Sequence, residues 1–368
     1  MLSCVPQRRL DYAGGMLALR AASRRALLLL APLSFVGASC GPSALGVMPG
    51  VLNDVHNRSL RKAILAYGMS HLCAEVQSRS MPLRLRDDAP VVGRFVPLQC
   101  ASRELPDGNL YLQFGGRGFV WTNLSQRLGF EAGTGVAYDT DFLMDGSTMY
   151  VYFRPRATTG AGFVTRMVEQ PQAAFFGGLP SGPSGQSLTN GYGAQIMAGQ
   201  IARGFTVIRR ADGAAEIGLG VVPPGERPAP AIAGVDRDAK ILLNERSELH
   251  PNQRDYVPFE VPGRDPAKLT LLVGVDGAPA IDVLLMPRAL GEAWLSTYVT
   301  QAVTTPPPGP PLLDEAVTTG AIWRRSLSVP PGQYYLVLDN TPTAGRTAPA
   351  SSARDDQAAQ VSFGVELE

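Results

Sequence analysis

The stretch "KLTLLVGVDGAPAIDVLLMPR", Lys268–Arg288, decides the fold. Two apolar runs of strand length flank a break rich in Gly and Pro, and each is too short to make an ordinary helix. The same texture runs outward on both sides. "DYVPFEVPG" (Asp255–Gly263), "WRRSLSVPPGQYYLVLDNT" (Trp323–Thr341) and "AAQVSFGVELE" (Ala358–Glu368) read as further strands. A helix near "ALGEAWLSTYVTQAV" (Ala289–Val303) and the loop "TTPPPGPPLLDE" (Thr304–Glu315) interrupt the series. The expectation for residues 237–368 is an antiparallel β-sandwich.

Upstream, "PPGERPAPAIAGVD" (Pro223–Asp236) holds four prolines in 14 residues, which prevents both a helix and a central strand. It is expected to link the sandwich to a mixed β domain over residues 51–222. That domain opens with "VLNDVHNRSLRKAILAYGMSHLCAEVQSR" (Val51–Arg79), whose apolar residues Val55, Leu60, Ile64, Leu65, Met69, Leu72 and Val76 fall at helical spacing. Asn53 or Asp54 is placed to cap this helix. Beyond it, "NLYLQFGG" (Asn109–Gly116), "GFVWTNL" (Gly118–Leu124) and "STMYVYFRP" (Ser147–Pro155) predict strands. "RGFTVIRRADGAAEIGLGVV" (Arg203–Val222) predicts a hairpin turned at "ADG". "LPSGPSGQSLTNGYG" (Leu179–Gly193) reads as a loop and "AQIMAGQIAR" (Ala194–Arg203) as a short helix. The fold class is therefore mainly β with a few helices.

The N-terminus carries an address. Arg20, Arg24 and Arg25 precede an apolar run from Ala26 to Ser39, shorter than the roughly 20 residues a membrane-crossing helix needs and interrupted by Pro32. Small residues follow, completing the order of an export signal over residues 1–39; Met16 is an alternative start. "VGASC" (Val36–Cys40) resembles the lipobox of bacterial lipoproteins, with Gly37 where Leu is usual. The resemblance implies cleavage before Cys40, lipid on its sulfur, and residues 40–50 as a tether. Two or more acyl chains would make membrane attachment effectively permanent. The chain is thus expected outside the cytoplasm, on the periplasmic side or the cell surface. "SRRALL" (Ser23–Leu28) is also similar to a twin-arginine export signal.

Of four cysteines, Cys4 and Cys40 belong to the signal and its end, leaving Cys73 and Cys100. An even pair in an exported chain favours a disulfide, with two buried free thiols as the alternative. The strand order in the last third, with Val261-Pro262-Gly263, "LTLLVGVDG", "IDVLLM" bearing Asp282 and "VPPGQYYLVLDNT", is similar to pre-peptidase-C-type accessory sandwiches from Arg254 to Glu368. A single acid stands where that family often carries Asp-x-Asp, and the Pro-rich insertion is unusual for it.

Composition narrows the chemistry. The chain has 33 basic and 32 acidic residues, and loss of the signal removes five arginines and one aspartate. No clustered basic footprint for nucleic acid results. The histidines His56, His71 and His250 offer no zinc-binding spacing, and no cofactor is expected. "GASCG" matches a nucleophile elbow but lies in the signal. Gly191 and Gly193 before a helix lack the full dinucleotide spacing. In "YDTDFLMDGS" (Tyr138–Ser147), Asp139 and Asp141 could share calcium, although Leu143 stands at the next ligand position; the bland reading is a turn between strands. Asp139 and Asp145 could serve as an acid/base pair, which requires carboxylates about 5 to 9.5 Å apart. Tyr150 and Tyr152 alternate onto one face and, with Trp121, form either core or an exposed binding platform. The function expected is a non-catalytic, lipid-anchored cell-envelope protein that binds protein or glycan or serves structure. The alternative is a glycan-directed hydrolase using Asp139 and Asp145, with the sandwich as accessory.

Overall fold

The alternating and apolar runs fold as strands throughout the computed structural model. It describes residues 49–368 apart from 70, 85–88, 124, 171–193, 196, 211–214, 227–231, 237–238 and 348–357. Cys40, the signal, most of the tether, the Leu179–Gly193 loop and the "ADG" turn lie outside the described residues.

The opening segment forms three helices where the periodicity predicts one: α1 (Pro49–Asn53), α2 (Arg58–Met69) and α3 (Leu72–Gln77). The helix breaks where Asp54 Oδ1 accepts the His56 N–H at 2.9 Å, a side-chain turn that competes with helical bonding. Asn53 does not cap; its amide donates to the Met144 carbonyl and accepts the Met144 N–H, both at 2.8 Å. Val55 and Leu60 consequently face outward, while Ile64 and Leu72 are buried.

Seven strands follow in one antiparallel sheet whose spatial order is the chain order: β1 (Met81–Leu83), β2 (Gly93–Glu104), β3 (Leu110–Thr122), β4 (Gln126–Asp145), β5 (Thr148–Val168), β6 (Phe205–Arg209) and β7 (Ala215–Leu219). The two runs around Gly115–Gly118, read as separate strands, are one strand. Glycine is required there because a Cβ on Gly116 would sit 2.1 Å from the Val96 carbonyl oxygen. Register shifts in β2–β3 and β4–β5 add bends at these positions. The sheet curls as a result, and its edge strands β1 and β7 line one common cleft. The β4–β5 hairpin closes through Gly146 and Ser147, with Gly146 at φ 54°. A disulfide joins Cys73 of α3 to Cys100 of β2 with Cα atoms 5.4 Å apart, as the cysteine pairing predicts.

The last third contains β8 (Lys240–Leu249), β9 (Gln253–Val261), β10 (Ala267–Asp276), β11 (Ala280–Pro287), helix α4 (Arg288–Thr300), β12 (Leu313–Thr318), β13 (Trp323–Val329), β14 (Gly332–Asn340) and β15 (Ala359–Leu367). They form two four-stranded sheets ordered β13-β10-β15-β8 and β12-β11-β14-β9. Both interleave strands distant in the chain, which is the double Greek key of a jelly roll. Leu269, Leu271 and Val273 of one sheet meet Val283, Leu285, Leu336 and Leu338 of the other in the core.

The second sheet is covered on both sides, which explains why "IDVLLM" is apolar without alternation. Its outward residues Leu284, Met286, Tyr335 and Val337 pack with Trp294 and Tyr298 of α4 and with Val96 and Phe119 of the curled sheet. Helix α4 reaches the curled sheet at Gly129, where a Cβ would lie 1.9 Å from the Val299 carbonyl oxygen. Backbone bonds also cross, from Val91 N–H to the Arg246 carbonyl (2.9 Å) and from Glu248 N–H to the Val91 carbonyl (2.8 Å). Residues 42–368 cluster as one compact unit, so the two regions are in direct contact.

Candidate functional site

The acidic and aromatic residues singled out in the sequence do not converge. Asp139, Asp141 and Asp145 occupy one exposed side of β4. Asp139 and Asp145 are six residues apart on that strand, about 20 Å at roughly 3.3 Å per residue, far beyond the reach of an acid/base pair acting on one glycosidic bond. Asp141 instead accepts from Arg61 Nη2 at 2.6 Å, and Asp139 lies 3.8 Å from Arg156 Nη1. Only Asp145 borders the turn. Among the described residues no group of three or more His, Cys, Asp or Glu side chains is arranged to hold a metal.

Of the two readings open for the tyrosines, core and not platform is the one the structure shows. Tyr150 and Tyr152 share a face, as alternation requires, but that face is buried against Ile208 and Val222. The Tyr150 hydroxyl donates to the Glu226 carbonyl (3.2 Å) and accepts the Gly225 N–H (3.1 Å). Burial raises the Tyr152 hydroxyl above the usual phenol range. Trp121 lies flat on the His250 ring at a centroid distance of 3.3 Å, and His250 Nε2 is 2.9 Å from Glu248 Oε1. These three aromatics build the interior and the junction, with no open stacking surface at the two tyrosines.

Three fully buried arginines, which no motif announced, organise the interior: Arg94 and Arg127 join the two regions, and Arg254 ties together parts of the jelly roll and its helix. Arg94 of β2 donates through Nε to Asp255 Oδ1 (2.5 Å) and through Nη2 to Asp255 Oδ2 (2.8 Å), and its Nη1 lies 2.7 Å from Glu245 Oε2. Ser247 Oγ donates to Asp255 Oδ2 at 2.5 Å, completing the carboxylate's shell. The two carboxylates hold the Arg94 guanidinium above its ordinary range despite burial. Arg254 donates to Asp339 (3.0 Å), the Thr305 carbonyl (2.9 Å) and Thr341 (2.7 Å) while stacking on Trp294. Burial pushes the Asp339 carboxyl up to about 6 against the pull of that arginine. Arg127 of β4 donates to the Gln301 and Ala302 carbonyls beyond α4 and lies 4.0 Å over the Tyr298 ring. The available signal for two of these partners was the charged "QRDY" step at Gln253–Tyr256, polar residues at the head of an apolar strand.

Beside the Arg94 network opens a cleft of about 200 Å³ between the curled sheet and strands β8 and β9. Its apolar wall comes from Met81 (β1), Leu112 and Phe114 (β3), Phe205 (β6), Ile217 (β7) and Leu242 (β8). Its polar groups are Arg79, Ser80, Glu216, Asn244 and Glu245. Glu245 is already committed to Arg94. The position follows from the fold: glycine-bent strands bring both sheet edges to one place, and the jelly roll's edge strand covers them incompletely. A mostly apolar recess with a few polar groups is the ordinary form of a small-ligand site.

No family model and no curated protein matches this chain. Among solved structures, the chain is similar to a carbohydrate-binding module, CBM36 in complex with calcium and xylotriose, at 14% identity over 36% of this chain and 94% of that one, with a TM-score of 0.20. It is also similar to a structure of infectious bursal disease virus, Gx strain, at 10% identity over 78% of this chain and 74% of that one, with a TM-score of 0.16. At these scores neither likeness carries an argument about ligand or activity. No helix among the described residues is long and apolar enough to cross a membrane.

Proposed function

We propose that the protein is a non-catalytic, lipid-anchored envelope protein that binds a small, largely apolar ligand in the cleft between the curled sheet and the jelly roll. The cleft itself carries this reading. An apolar cavity of about 150 Å³ suffices to take up a benzene-sized guest, so about 200 Å³ accommodates a ring or a length of alkyl chain. The binding role expected from the sequence is kept, and its place moves from the aromatic strand positions to this recess. The hydrolase alternative loses its acid pair to the strand spacing. Anchoring rests on the signal-like segment ending at Cys40, and the Cys73–Cys100 disulfide fits an oxidising compartment outside the cytoplasm.

One experiment tests both parts. Full-length protein and its Cys40→Ser variant are expressed in a bacterial host and fractionated, and the released Cys40→Ser chain is titrated with the neutral probe N-phenyl-1-naphthylamine. The variant is expected in the soluble fraction and to enhance probe fluorescence; Ile217→Trp, which fills the cleft, removes the enhancement. Retention of the Cys40→Ser variant in the membrane pellet overturns the anchor, and undiminished enhancement by the Ile217→Trp variant overturns the cleft.

A further inference from the structure

Three of the strands that border the cleft present a proline there. Pro82 lies in the edge strand β1, Pro258 in β9 at the edge of the second jelly-roll sheet, and Pro97 in β2 beyond its last pairing with β1 at Phe95. On β9 the Arg254 N–H leaves the ladder for the Tyr298 hydroxyl, so Pro258, four residues on, stands on the same outward side. Proline has no N–H to offer an added strand, which is how sheet edges are kept from pairing. Strand β8 gives part of its outer edge to Val91, through the Arg246 carbonyl and the Glu248 N–H.

The edge strand β7 carries no proline and brings Ile217 and Leu219 to the cleft. Beyond its end the Gly220 N–H continues the ladder to β6 by bonding to the Gly204 carbonyl at 3.0 Å, whereas the Ala215 carbonyl turns outward and accepts from Arg79 Nη2 at 2.6 Å. By alternation the N–H and C=O groups of Ile217 and Leu219 point outward as well. Among the described residues these groups meet no hydrogen-bonding partner. Charge does not choose the guest, because Glu216 and Glu245 of the same cleft act on Arg79 together with Glu75 and Glu260.

We infer that the cleft takes an extended peptide segment with alternate apolar side chains, which joins β7 as an added strand. Its backbone bonds to Ile217 and Leu219, and its apolar side chains lie against Leu112, Phe114 and Phe205. This rests on the cleft being the binding site and names the class of ligand. Main-chain bonds supply the hold, and the apolar wall selects the side chains at every second position. A β7 of five residues spans about 17 Å at roughly 3.3 Å per residue, so a pentapeptide covers it.

The test is displacement of N-phenyl-1-naphthylamine from the Cys40→Ser chain by acetyl-Val-Thr-Val-Thr-Val-amide and by two forms of it, N-methylated on one or the other set of alternate residues. The unmethylated peptide is expected to displace the probe. One methylated form matches it and the other needs about tenfold more, because only alternate N–H groups face β7. Ile217→Pro, which removes an outward N–H and leaves the ladder to β6 intact, still takes up the probe but weakens peptide displacement about tenfold; Ile217→Val, which keeps that N–H, stays within about twofold. Equal potency of the two methylated forms, or peptide displacement undiminished by Ile217→Pro, overturns the inference and leaves the cleft as a small-ligand site. So does a peptide that fails to displace bound probe. Absence of probe uptake by the Cys40→Ser chain overturns the cleft reading together with this one.

Discussion

The curled sheet and the jelly roll are both antiparallel, but they treat their edges and interiors differently. The jelly roll closes two sheets on a core mainly of Val, Leu and Ile, and its second sheet is covered again by α4 and the curled sheet. The curled sheet is a single layer bent at glycines, and its interior is filled with larger and softer groups such as Phe95, Phe130, Phe153, Met144 and Met149. Branched aliphatics interlock between two flat-packed sheets. One bent sheet leaves an irregular space that rings and flexible thioethers adapt to fill. The cleft lies in the region whose edges the fold left unsealed, against the outer strand of the region it did seal.

The largest expected effect comes from breaking the bond between the two regions. Asp255→Ala leaves Arg94 buried with only Glu245, and removing one partner of a buried pair costs about 3 to 5 kcal/mol. Urea unfolding should show that loss, and Arg94→Met combined with Asp255→Leu should recover most of it. A single variant as stable as the parent would mean that the arginine is not buried in this way.

The next effect separates the regions. Opening the Cys73–Cys100 bridge in a Cys73→Ser, Cys100→Ser chain frees a loop of 27 residues, worth about 3 to 4 kcal/mol on the chain-entropy account. The loss should appear in hydrogen exchange of α3 and β2 before it appears in β10 and β11. Uniform loosening of both regions would show instead that they unfold as one unit.

The smallest effect probes the helix between them. Gly129→Ala places a methyl group against the Val299 backbone, and overpacking of this kind costs about 1 to 3 kcal/mol. Thermal melting should register it, whereas Gly146→Ala, with open space around its Cβ, should register only the backbone strain at positive φ.

The strands of the last third were legible because their apolar runs are bounded by turn residues, and helix α4 because its apolar residues are not interrupted by any Gly or Pro pair. The disulfide was legible from counting. The opening helix was misjudged because periodicity records apolar spacing and not the local bond by which Asp54 turns the chain. Tyr150 and Tyr152 were placed correctly on a common face, yet alternation says nothing about which face is covered. Asp139 and Asp145 looked close in sequence because a loop would have gathered them; an extended strand holds them apart.

By itself, then, the sequence determined the mainly β fold and the cysteine pair, since each depends on local pattern or composition. Only the tertiary structure decided that Arg94, Arg127 and Arg254 lie inside, that the two tyrosines are core, and that β1 and β7 meet at a cleft with Arg79 on its rim. Those facts depend on which distant strands become neighbours. A charge becomes a buried partner, and a gap becomes a site, only when segments far apart in the chain exclude water together.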